Sequence, residues 1–110
     1  MPYDEILAER IRQQFDATSG MKEQRMFGGL AFLLNGHMTV VASRTGGLMA
    51  RVDPSDSDDL IENSAAEAAE MRGRRMQGWL RINTQDIKTK RQLNKWVRLA
   101  TAYVATLPNK

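Results

Sequence analysis

Asn35-Gly36 stands between two apolar runs, Leu30 to Leu34 and His37 to Ala42. A two-residue type I′ turn needs positive φ at both central positions, which asparagine and glycine supply at little steric cost, so the pair predicts a β-hairpin. The hairpin commits the middle of the chain to antiparallel sheet, and its neighbours extend that sheet. Met21 to Phe27 reads as a preceding strand, broken from the next by Gly28-Gly29. Ser43-Arg44-Thr45-Gly46-Gly47 reads as a second turn. Leu48 to Val52 then alternates Leu48, Ala50 and Val52 with Met49 and Arg51, the pattern of a half-buried strand. Trp79 to Ile82 is a further short strand.

Helical patterns flank this sheet. Tyr3, Ile6, Leu7, Ile11 and Phe15 form an i, i+3, i+4 stripe that predicts an amphipathic helix, stopped by Thr18-Ser19-Gly20. Asp53-Pro54-Ser55-Asp56 opens a short helix, with Asp53 as polar cap and Leu60 and Ile61 as its only large apolar residues. From about Thr89, Leu93, Trp96, Val97, Ala100, Val104 and Leu107 recur at helical spacing, and Pro108 ends the helix. Asn63 to Arg75 shows no clear period and reads as irregular. The expectation is one α+β domain over 1–110: an antiparallel sheet of about five strands, with helices at both ends and one between strands, packed on one sheet face.

A chain of 110 residues, 42% of them hydrophobic, buries roughly two-thirds of its unfolded surface, so it needs no covalent staple. It has none: with no cysteine, disulfides, thiolate metal sites and thiol nucleophiles are excluded, and a reducing cytoplasm suits the chain. The acidic start, Met1-Pro2-Tyr3-Asp4-Glu5, lacks the basic and apolar regions of an export signal. No stretch is apolar enough to span a membrane. A cytoplasmic protein without membrane contact is expected.

Net charge is only +3, but its sign is uneven. Residues 1–71 carry six basic side chains against twelve acids, a net of −6; residues 72–110 carry ten against Asp86 alone, a net of +9. Such asymmetry marks either a surface for nucleic acid or another acidic partner, or an acidic and a basic helix lying side by side, within one subunit or across a dimer. Two basic clusters stand out, Arg72-Gly73-Arg74-Arg75 and Lys88-Thr89-Lys90-Arg91. Cations at the start of a helix oppose its macrodipole, so the second cluster is a mild pointer to something anionic nearby. Arg72, Arg74, Arg75, Lys88, Lys90 and Arg91 are therefore the candidate contacts for nucleic-acid phosphates or an acidic partner, and the nucleic-acid reading requires all six on one exposed face.

Catalytic chemistry has few carriers. His37 is the one histidine, follows the hairpin turn, and is expected to be exposed without a metal or triad partner. Asp53, Asp56, Asp58, Asp59 and Glu62 lack the spacing of a calcium loop and suit the positive end of a helix. Gly28-Gly29 and Gly46-Gly47 lack phosphate-loop spacing. A bulge, or a bulky neighbour such as Trp79 or Phe32 crossing the backbone, accounts for them. Trp79 and Trp96 read as core. No cofactor, metal or catalytic residue is expected, and a pocket around Arg25, Arg51 or His37 would be needed to reverse that expectation.

Arg25-Met26-Phe27-Gly28-Gly29, followed by Ala31-Phe32 and Asn35-Gly36, then Met76-Gln77-Gly78-Trp79 and Trp96-Val97 ahead of Leu107-Pro108, resembles the TfoX N-terminal domain family over almost the whole chain. The resemblance implies an α-β-β-β-α-β-β-α order similar to type III secretion chaperone folds, and pairing as a homodimer. In the larger TfoX or Sxy competence regulators this domain is joined to a C-terminal helical domain. The whole protein there supports transcription of DNA-uptake genes alongside a cyclic-AMP receptor protein. The resemblance implies no catalytic residues here, only a stand-alone regulatory interaction module that meets transcription machinery as its protein partner. In it Arg25, Met26, Phe27, Gly28, Gly29, Gly78 and Trp79 would be mainly structural: Phe27 packs, the glycines permit a bend, and Arg25 pairs with an acid such as Glu23 or one on a neighbouring helix.

Overall fold

A computed structural model describes residues 5–15, 21–26, 28–44, 46–64, 66–71 and 73–108, with Met71, Arg75, Met76 and Gln77 described by their backbone alone. The expected helix stop at Thr18-Ser19-Gly20, the packing of Phe27 and the placement of Arg72 lie outside the described residues. The elements run α1 (Glu5–Gln14), β1 (Met21–Met26), β2 (Gly29–Leu34), β3 (His37–Ala42), β4 (Leu48–Arg51), α2 (Ser57–Asn63), β5 (Glu67–Met71), β6 (Arg74–Ile82), a 3-10 turn (Thr84–Asp86) and α3 (Lys90–Val104). All neighbouring strands are antiparallel, in the order β1-β2-β3-β4-β6-β5.

The hairpin turn carries positive φ at both central residues, 53° at Asn35 and 87° at Gly36, as type I′ requires. It sets the parity of the sheet, and two apolar rows follow from the register. Leu30, Ala42, Leu48 and Ile82 form one; Phe32, Val40, Ala50 and Leu80 form the other. Onto these rows pack Leu7, Ala8, Ile11 and Phe15 at α1, and Leu93, Trp96, Val97 and Ala100 of α3. The Phe15 and Phe32 rings stack at 6.1 Å between centroids. The α+β architecture is as expected, with the core between one sheet face and the helices.

The other face carries Ala31, Val41, Met49 and Arg81 in one row and Trp79 in the next, while Arg51, at the end of β4, reaches Tyr103 of α3. Thr39 is the one irregularity in β3. Leu33 faces Met38 while Phe32 faces Val40, leaving Thr39 as a bulge residue; it is fully buried, with its hydroxyl donating to the His37 carbonyl.

Several expectations change. Within the stretch expected to be irregular, Glu67–Met71 forms β5 and Arg74 begins β6, so the strand expected at Trp79 to Ile82 is the end of a nine-residue strand. β5 reads Glu-Ala-Ala-Glu-Met, residue types that favour helix over strand, and a register shift between Ala68 and Glu70 breaks the period of two. The sheet therefore has six strands, in the order α-β-β-β-β-α-β-β-α. Ile6, expected in the buried stripe, is 77% exposed, and Ala8 takes the buried position instead. Trp79 is half-buried on the face away from the helices rather than in the core. His37 is buried, its Nε2 2.5 Å from the Pro108 carbonyl oxygen, because it faces Leu34 on the helix side. α2 begins at Ser57; Asp53 instead accepts from the Ser55 amide (2.9 Å) and hydroxyl (2.8 Å), which hold its carboxyl below the usual carboxylate range.

Candidate functional site

The N-terminus of α3 is a built structure. Thr89 caps it: the Gln92 amide donates to Thr89 Oγ1 (3.1 Å), and Gln92 Oε1 accepts from the Thr89 amide (3.0 Å), a reciprocal capping box. From α1, the Arg10 guanidinium reaches across and donates to the carbonyls of Ile87 (2.6 Å), Lys88 (3.1 Å) and Thr89 (3.3 Å). That contact brings Arg10 to the corner where Lys88, Lys90 and Arg91 stand exposed. The first turn of α3 holds no acid, so cations and the helix macrodipole add there to one positive region.

A groove runs from this corner between α1 and α3. Its first part, about 380 Å³, is lined by Arg10, Gln13, Gln14, Lys90, Leu93 and Asn94. Its second, about 540 Å³, continues along Phe15, Val97, Arg98, Thr101 and Ala102. Gln14 and Asn94 line both, joined by a 2.6 Å hydrogen bond from Asn94 Nδ2 to Gln14 Oε1. Among the described residues that line it, Arg10, Lys90 and Arg98 are cationic and none is an aspartate or glutamate. Along α3, Arg91, Lys95 and Arg98 are exposed at i, i+4 and i+7 and so form a strip that adjoins the groove at Arg98; the Lys95 ammonium lies 5.0 Å from the Trp96 ring centroid, an attraction that orders it. A groove with a cationic rim can hold an acidic segment, and the adjoining strip can meet phosphates.

The two sequence clusters are not brought together. Arg74 is exposed at the start of β6, whereas Lys88, Lys90 and Arg91 follow its end; a nine-residue strand spans about 26 Å at the usual rise. Arg75 faces Glu70 across the hairpin by backbone register, and Arg72 is outside the described residues. Sequence reasoning missed Arg10, Lys95 and Arg98. The spacing of Lys95 and Arg98 from Arg91 was a usable signal; Arg10 had none, since its contact with Ile87 spans 77 positions.

The Arg25 to Gly29 segment lies at the far edge of the sheet. Arg25 is exposed, Met26 half-buried and Gly29 buried. What crosses the glycines is β3 and the Arg44 side chain, not Trp79 or Phe32: a Cβ on Gly29 would lie 2.5 Å from the Ala42 carbonyl oxygen. Arg25 does not take Glu23. Arg12 does, through Nε (2.6 Å) and Nη2 (2.7 Å), while also pairing with Glu9, and it draws the Glu23 carboxyl below its ordinary range. Gly78 is buried, accepting from the Val52 amide at 2.7 Å. Arg51 is turned to the Tyr103 ring, 5.7 Å from its centroid, so Arg25, Arg51 and His37 occupy separate places. Among the described residues no group of acids and histidine could hold a metal, and no helix is long and apolar enough to cross a membrane.

Residues 13–103 match the family model described as the TfoX N-terminal domain. The matched span takes in the sheet, α2 and nearly all of α3, and it begins after Arg10. No curated protein matches the chain.

Proposed function

Since the chain belongs to the TfoX N-terminal domain family, we propose that it is a non-enzymatic interaction module with a regulatory role in transcription, working in the cytoplasm as a homodimer. The α1–α3 groove is its surface for an acidic protein segment. One observation carries this reading: Arg10, Lys90 and Arg98 line the groove, and among the described residues no carboxylate does. The residue inventory supports a module without catalysis, since the single histidine has its Nε2 engaged by the Pro108 carbonyl. The open edge at β1 supports pairing of two copies.

A second reading, nucleic-acid association, is favoured by the strip of Arg91, Lys95 and Arg98 beside Lys88 and Lys90. Its contacts would be with phosphates, without base readout, and steeply salt-dependent. Fluorescence anisotropy separates the two, using a labelled acidic peptide and a labelled DNA duplex at about 50 and 200 mM salt. The groove reading expects peptide binding that is lost in Lys90→Glu/Arg98→Glu and kept in Arg74→Glu. Duplex binding lost in Arg91→Glu/Lys95→Glu, with no peptide binding, would replace it with the second reading. Binding of neither would reject both.

A further inference from the structure

β1 is the outermost strand on its side of the sheet, and Lys22, Glu23, Gln24 and Arg25 are all exposed. β2, directly beside it, is buried at every position but Leu33. A strand that gives so little to its own core leaves a row of backbone donors and acceptors facing outward. Charged residues on such an edge usually serve to repel other strands. Whether they do so here depends on the register in which a second strand arrives.

The parity of the hairpins decides which groups face out. Leu34 and His37 close the Asn35-Gly36 turn as a pair, and Met26 and Gly29 close the preceding two-residue loop; the pair flanking such a loop exchanges both of its hydrogen bonds. Lys22, Gln24 and Met26 therefore point their backbone groups at β2, and Met21, Glu23 and Arg25 point theirs outward. A second copy related by a two-fold axis and pairing antiparallel must set these outward residues against one another. Centred on residue 23, the pairing opposes Glu23 to Glu23. Centred on residue 25, it opposes Arg25 to Arg25. Centred on residue 22, it opposes Lys22 to Lys22 and Glu23 to Met21. Centred on Gln24, it sets Glu23 against Arg25 twice, Lys22 against Met26, and the two Gln24 amides against each other.

We infer that β1 pairs with β1 of a second copy about a two-fold axis through Gln24, joining two six-stranded sheets into one. This rests on the homodimer reading above and names its surface. Opposite charges directly across antiparallel strands attract and like charges repel, so the four charges select one register instead of blocking all. Glu23 and Arg25 lie on the helix side, opposite Phe32 and Leu30, where Arg12 already holds Glu23. A carboxylate has about four acceptor sites, so Arg25 of the second copy can join Arg12 on it. Among the described residues Arg25 forms no ion pair of its own.

The chain has no cysteine, which makes single-cysteine trapping clean. At the two-fold, the Gln24 α-carbons form a non-hydrogen-bonded pair about 4.5 Å apart, within disulfide reach; the two Lys22 α-carbons would be four residues out of register, about 13 Å. Under mild oxidation Gln24→Cys is expected to form a covalent dimer and Lys22→Cys is not. Both positions are exposed, and circular dichroism confirms that each variant folds. Arg25→Glu, without oxidation, is expected to weaken the dimer about tenfold or more by light scattering. A dimer that persists in Arg25→Glu and cross-links equally at 22 and 24, or at neither, would overturn the β1 surface while leaving the homodimer in place. A monomer at every concentration would overturn both.

Discussion

The sheet ends in two hairpins of the same build and different surroundings. In β1–β2, two residues separate the paired Met26 and Gly29; in β5–β6, two separate Met71 and Arg74. The second loop residue is glycine in each, with φ of 78° at Gly28 and 77° at Gly73. Around Gly28 and Gly29 the space is full: an added Cβ would meet the Arg44 side chain at 2.6 Å at the first and the Ala42 carbonyl at 2.5 Å at the second. A Cβ added at Gly73 would meet no described residue within 4 Å beyond its chain neighbours. One glycine turn is part of the packed sheet and the other is a projecting tip. The same local chemistry thus serves two purposes, and substitution should tell them apart.

Gly29→Val tests the packed hairpin most severely. Its Cβ would overlap a backbone oxygen that cannot swing aside as a side chain can, so the strands must separate. Overpacking of this kind costs about 3 kcal/mol, and urea denaturation is expected to show that loss without a change of slope. A midpoint equal to wild type would mean that β2 and β3 do not approach there as described.

Gly28→Ala and Gly73→Ala sharpen the contrast. Both place an L side chain at left-handed φ, at about 1 kcal/mol each. Gly28→Ala must also displace the Arg44 side chain, which is flexible, so its loss is expected to exceed that of Gly73→Ala by several tenths of a kcal/mol. Equal losses in paired urea melts would show that Arg44 moves away freely.

The same contrast explains what the sequence revealed. Asn35-Gly36 and the alternation of Leu48 to Val52 were legible because the turn needs those residues and the strand buries one face. α3 was legible for the same reason, its stripe of Leu93, Trp96, Val97, Ala100 and Val104 being buried throughout. β5 was not, since an edge strand of alanine and glutamate with a register shift buries too little to impose a period. Of the groove and the cationic corner beside it, Lys88, Lys90 and Arg91 could be singled out as a charge run. Arg10 could not, because its place depends on how α1 lies against the Ile87 to Thr89 backbone, a tertiary contact with no local signature. Glu23, one of the acids expected to pair with Arg25, is taken by Arg12, whose fork holds both carboxylate oxygens at once.

The two edges also differ in how they are tied down, and this is the smallest effect to measure. β1 is tethered to α1 by the bidentate Arg12–Glu23 pair; on β5, Glu67 accepts only a long hydrogen bond from Asn83 Nδ2, at 3.4 Å. Glu23→Gln is expected to cost about 0.5–1 kcal/mol at neutral pH, as partly exposed pairs do, and Glu67→Gln to stay within about 0.5 kcal/mol of wild type. Arg12 lowers the Glu23 pKa in the folded protein, so the unfolded chain binds the proton more tightly. The stabilisation is then fully present above the unfolded glutamate value, about 4.3, and is lost as pH falls through the lower folded value. The difference between wild type and Glu23→Gln should accordingly be constant from about pH 5 upward and close as the solution is acidified below about pH 4. Urea midpoints at a series of pH values measure it. A gap that persists unchanged into acid would mean that the tether acts through packing of the Arg12 stem against β1 and not through charge, which would bring the β1 edge closer in kind to the loosely held β5.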